Sequence, residues 1–155
     1  MGLKKRALSR RKLIQLGAAV SAAGAMLATP LRAFASRPAF DATEVDGALA
    51  ALLAGRPVEE SAAIKFKIPD IAENGAVVPV SVSTDMDGVT GISIVIDGNP
   101  NPLVARFAIS PETVADVSAR VKMGQSSVVR AYVETADKVY TTSKEVKVTI
   151  GGCGG

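Results

Sequence analysis

The sequence predicts a mainly β protein, an immunoglobulin-like antiparallel sandwich of about seven strands with one short N-terminal helix. Three observations carry this. From residue 64 onward apolar residues recur at every second position in runs of four to nine, the period of a strand with one face buried. Turn-forming clusters separate those runs at short intervals, as in two-sheet folds. No helical pattern lies between strands, which argues against a parallel doubly wound sheet.

The one helical pattern covers Asp41 to Ala54. Val45, Leu49, Leu52 and Leu53 form an apolar stripe. Asp41 and Glu44 have the spacing of a capping box, and Gly55 and Pro57 stop the helix. Three or four turns are marginal alone in water, so this helix is expected to dock on the domain.

After Pro57 the period becomes two. Ile64, Phe66 and Ile68 alternate with Lys65 and Lys67, and Val78, Val80 and Val82 form the next run. Pro79 lies inside that run and cannot donate to a ladder, which predicts an edge strand or a bulge. Gly91 to Ile96 forms a strand, Asp97 to Pro102 turns the chain, and Leu103 to Ile109 returns it. Ala115 to Met123 alternates strictly. Gly124-Gln125 turns into Val128 to Glu134, and Ala136-Asp137-Lys138 turns into a terminal strand ending near Ile150.

The first 35 residues read as a targeting segment. Lys4, Lys5, Arg6, Arg10, Arg11 and Lys12 make a basic head, Leu13 to Leu27 is mildly apolar, and Ala33-Phe34-Ala35 fits a small-x-small cleavage site. Ser9-Arg10-Arg11-Lys12-Leu13 has the form of a twin-arginine export signal, which places the mature protein in the periplasm. The apolar run is shorter than the ~20 residues of a membrane-spanning helix. Seven of the 18 Lys and Arg, and none of the 15 Asp and Glu, lie in residues 1–35, so the remainder carries a net charge of −4. The basic character therefore belongs to the signal, and the domain has no compositional case for nucleic acid.

There is no histidine in the chain and one cysteine. That removes the commonest general base and leaves no zinc, haem or iron–sulfur ligand set, so no cofactor is expected. Asp85, Asp87 and Gly88 do not complete a calcium loop and read as a surface turn. The reactive inventory is Cys153, in Gly151-Gly152-Cys153-Gly154-Gly155. Four glycines around one thiol read as a flexible tether directly after the last strand. Cys153 then stands within roughly 10 Å of Ile150 at full extension. An ordinary thiol is only a few per cent thiolate at neutral pH, and nothing in the tail lowers its pKa. Activation is expected from another protein's active site, with glycines allowing passage through a narrow channel.

Ile71-Ala72-Glu73-Asn74-Gly75, Val78-Pro79-Val80, Asn99-Pro100-Asn101-Pro102 and the Gly-Gly-Cys-Gly-Gly end, together with the twin-arginine signal, resemble the SoxY family. SoxY is the sulfur carrier of the periplasmic Sox sulfur-oxidation system. The resemblance extends over the whole mature chain and departs from the family at Asp137-Lys138, where a glycine is expected after the aspartate. It implies a carrier and no enzyme, paired with a SoxZ-type β subunit, with sulfur intermediates held covalently on Cys153. Transient partners implied are haem-containing Sox cytochromes, a metal-dependent thiosulfohydrolase and a sulfane dehydrogenase, with no nucleic acid and no membrane. Two other readings stand beside it. Gly154-Gly155 allows a ubiquitin-like carrier charged at its C-terminal carboxylate, and the sandwich alone allows an adhesion or scaffold protein with an incidental tail.

Overall fold

The computed structural model describes residues 37–149. The expected signal at 1–35 and the cysteine tail at 151–155, including Cys153, lie outside them. Two helices come first, α1 (Pro38–Asp41) and α2 (Val45–Leu53). Nine strands follow: β1 (Val58–Glu60), β2 (Ile64–Lys67), β3 (Ile71–Ala72), β4 (Val78–Thr84), β5 (Val89–Ile96), β6 (Leu103–Ala108), β7 (Asp116–Val121), β8 (Ser127–Thr135) and β9 (Val139–Val148).

The fold is the expected immunoglobulin-like sandwich. One sheet has the order β1-β9-β8-β5-β6, with β3 also on β9; the other has the order β2-β4-β7. The main ladders are antiparallel, as alternation and short turns require. Two short strands depart from the expectation: β1 and β3 run parallel to β9, at its beginning and its end. Neither has an apolar run long enough to show in sequence. They are strands because the free edge of β9 gives their backbone groups partners.

Between the sheets lies a branched aliphatic core. Val78, Val80 and Val82 of β4 meet Ile92, Ile94 and Ile96 of β5, with Val129, Ala131 and Val133 of β8 beside them. The other face of the larger sheet is covered by the helices: Ala48 and Leu52 pack on Val95, Leu103, Tyr132 and Val139. β5 is therefore buried on both faces from Gly91 to Ile96, which is why its sequence is nearly all apolar instead of alternating.

Three local expectations need correction. The expected helix from Asp41 to Ala54 is two helices, with Asp41 ending α1 and Glu44 at the N-cap of α2. No side chain caps α2 there, so the Asp41–Glu44 capping box does not form. The left-handed exit begins at Ala54 (φ 51°) and continues through Gly55 (φ 79°). Third, the strand containing Pro79 is the central one of its sheet. Proline is tolerated because β2 stops with Lys67 opposite Ser81, so at Pro79 β4 has a ladder partner, Arg120, on one side only.

Candidate functional site at the end of the last strand

The described segments that suggested the family, at 71–75, 78–80 and 99–102, come together at one end of the sandwich, the end where β9 finishes. β3 and its following turn, the 97–102 turn and the 122–126 turn all lie there. Asn74 folds its own turn: its Oδ1 accepts from Ala76 N–H at 2.9 Å and its carbonyl from Val77 N–H at 3.2 Å. Gly75 O accepts from Met123 N–H at 2.7 Å, joining this turn to the next loop. Asn99 bridges onward, donating Nδ2 to Lys122 O at 2.7 Å and accepting Gly124 N–H at 3.1 Å. Ser127 Oγ accepts Gly98 N–H at 2.7 Å. Asn101 reaches the helices, donating to the carbonyls of Phe40 and Ala42.

The end of β9 sits within these loops. Ile71 and Ala72 pair with Lys147 and Val148. Asp70 O accepts Lys147 N–H at 2.9 Å, and Ala72 O accepts Thr149 N–H at 3.1 Å. Ser126 Oγ accepts Val148 N–H at 2.9 Å. Thr149, the last described residue, is thus attached to the domain, and Cys153 follows four residues on. Full extension allows about 14 Å between their Cα atoms.

Beside this root is a shallow recess of about 250 Å³ lined by Pro69, Ile71, Ala72, Asn74, Val77 and Pro79. Ile71 and Val77 are 55% and 50% exposed. The opposite end has a recess of about 410 Å³ between the 85–90 and 109–115 loops. Asp85 there is exposed and pairs with Lys65 at 2.6 Å. Among the described residues no three His, Cys, Asp or Glu side chains stand together as a metal site, and no helix is long and apolar enough to cross a membrane.

The buried charge of the domain is Glu134, on the helix-covered face of the larger sheet and remote from the root. Its carboxylate receives Arg56 Nη2 at 2.6 Å, Arg106 Nη2 at 2.9 Å and Ser93 Oγ at 3.2 Å. Gly91 makes room for it, since a Cβ there would stand 3.2 Å from Oε1. Burial disfavours the charged form, yet the hydrogen bonds from Arg56 and Arg106 outweigh it and hold the carboxyl below its ordinary value of 4.5. Arg56 also donates to the carbonyls of Leu52, Leu53 and Thr135, fastening the end of α2 to the sheet. This cluster is structural.

Sequence reasoning finds the turns and the tail but not Ser126 or the pairing of Ile71-Ala72 with β9. Asn74-Gly75 is a visible signal that reads only as a turn. A lone glutamate beside Ala131-Tyr132-Val133 is the available signal for Glu134.

A family model described as sulfur oxidation protein SoxY matches residues 49–153. The structure of the sulfur carrier protein SoxY from Chlorobium limicola f thiosulfatophilum is similar, with 43% identity and a TM-score of 0.63, covering 69% of this chain and 97% of that one. Superoxide reductase (neelaredoxin) from Ignicoccus hospitalis is similar in fold alone, at 23% identity and a TM-score of 0.51, covering 56% of this chain and 80% of that one. No curated protein matches the chain.

Proposed function

The chain belongs to the SoxY family, and from that premise we propose that it carries thiosulfate-derived intermediates on Cys153, held on a mobile arm formed by Gly151, Gly152, Gly154 and Gly155. It is a sulfur carrier protein, not an enzyme. The observation that carries the finer reading is the placing of the last strand: β9 is secured as far as Thr149, and the family match runs on through Cys153.

The chemistry asked of this chain is that of a thiolate. Oxidative coupling joins the Cys153 thiolate to the outer sulfur of thiosulfate, forming one S–S bond and releasing two electrons to a partner haem cytochrome. Water then attacks the sulfonate sulfur in a partner hydrolase. The inner, sulfonate sulfur leaves as sulfate, and the outer sulfur stays on Cys153 as a persulfide anion, with two protons released. The electron transfer and the hydrolysis belong to the partners in this reading; the chain contributes the thiolate, and sulfur–sulfur bonds are within the reach of thiolate chemistry.

Residues 1–35 act as a twin-arginine signal in this reading, delivering residues 36–155 to the periplasm. A SoxZ-type β subunit is the stable partner. The edges of β6 and β7 support this, since among the described residues each has a ladder partner on one side only. Mixing with such a subunit yields a heterodimer in sedimentation or size exclusion; a chain that remains monomeric would contradict the pairing.

The decisive test is intact mass after incubation with thiosulfate and the Sox cytochromes. The expected result is one thiosulfate adduct on Cys153, absent from Cys153→Ser. No adduct, or one that survives the substitution, overturns the proposal.

A further inference from the structure

Resting on that reading, we propose that Ala72, Gly75 and Ser126 form a collar that sets the working length of the arm, by fixing where rigid strand ends and hence how far Cys153 extends from the domain.

The ladder between β8 and β9 stops at Ser127 opposite Val146. Beyond that point β9 has lost its long partner, and a strand end in this position ordinarily frays. Here it does not. Ser126 Oγ takes over from β8 by accepting Val148 N–H at 2.9 Å. On the other edge Ala72 O accepts both the amide of Thr149 at 3.1 Å and its hydroxyl at 3.4 Å. Gly75 closes the collar by its lack of a side chain. A Cβ there would come 2.5 Å from Met123 O and 2.8 Å from Val148 Cγ1, so glycine alone lets this turn press on both. Two separate segments, β3 with its following turn and the turn at Ser126, thereby converge on Val148 and Thr149.

A tether of fixed length has a narrow range of reach and a high effective concentration of its thiol at the depth it serves. Releasing Val148 and Thr149 would add two residues, about 7 Å of reach, and would dilute the thiol over a larger volume. Ser126 and Gly75 are in this sense positioning residues for the carrier thiol.

The experiment uses the full mature chain. In Ser126→Ala, amide exchange at Val148 should rise roughly fivefold, the loss expected of one net hydrogen bond. Nitroxides on Cys153 and on a second site, Arg120→Cys, report distance by pulsed electron resonance. The Ser126→Ala substitution should broaden the distribution toward longer distances, and Ser126→Thr, which keeps the hydroxyl, should restore both readings. Gly75→Ala should act in the same direction. Unchanged exchange at Val148 would sink the proposal. So would faster exchange, or a lower melting temperature, with an unaltered distance distribution, since that is the behaviour of a merely structural contact. None of these readings depends on sulfur being carried, and the mass test of Cys153 does not depend on Ser126, so the two ideas fail separately.

Discussion

The two ends of the sandwich are held by different kinds of force. At the end remote from β9's terminus, charge dominates: Glu134 is gripped by Arg56 and Arg106, Lys138 pairs with Glu59, and Lys65 with Asp85. At the end where β9 finishes, the loops are joined mostly by neutral groups, the side chains of Asn74, Asn99 and Ser126 and the backbone of Ala72 and Gly75. Two ion pairs lie toward this end, Arg130–Asp97 and Lys144–Asp70; Asp70 also holds Lys147 through its carbonyl, but neither pair bonds Val148 or Thr149. Neutral hydrogen bonds neither titrate over the ordinary pH range nor weaken much with salt, so the position of the root is insulated from conditions that change the stability of the domain.

The sharpest way to break this contrast is at Glu134. Removing it in Glu134→Ala leaves Arg56 and Arg106 facing an empty buried site and unfastens α2. Because the two arginine side chains are 25% and 46% exposed, the cost falls at or below the low end for broken buried pairs, about 2–3 kcal/mol. Urea denaturation measures it, and a loss under about 0.5 kcal/mol would show that the cluster is ornamental to stability.

Acidification tests the same group more gently. Its folded carboxyl lies below the ordinary 4.5, so in acid the unfolded chain binds more protons than the folded one, and stability rises with pH. This contribution is complete above the unfolded value and disappears as pH falls through the folded one. Melting temperature should therefore drop on acidification, less steeply in Glu134→Gln, while amide exchange at Val148, corrected for its intrinsic pH dependence, stays level. A parallel loss of protection at Val148 would remove the distinction between the ends.

A smaller effect is expected at the neutral end. Asn99→Ala removes the bonds to Lys122 O and Gly124 N–H, costing about 1–2 kcal/mol, with a salt dependence indistinguishable from that of the unmodified chain. Smallest of all is Cys153→Ser, for which melting should shift by less than about 0.5 kcal/mol equivalent while thiosulfate loading is lost.

Much of the fold was legible because its cause is local. Strict alternation through Ala115 to Met123 marks one strand, and the mostly apolar run from Gly91 to Ile96 marks another. Cys153 was proposed from the sequence for a chemical reason, as the lone thiol in a chain without histidine, and it lies outside the described residues. The collar was not legible. Ser126 resembles any turn serine, and Ile71-Ala72 is too short to announce a strand. Pro79 misleads because proline's demand for a free side is met by an early end of β2, a fact about a neighbour and not about β4.

Sequence by itself determined the period of most strands, the class of fold and the residue proposed to carry sulfur, the lone thiol. These follow from side-chain chemistry and from repeats only a few residues long. Which ends of which strands meet was decided by tertiary structure alone. Val148 and Ser126 are 22 residues apart, and Thr149 and Ala72 are 77 apart. Contacts at such separations depend on how two sheets close over a shared core, and no local pattern encodes them.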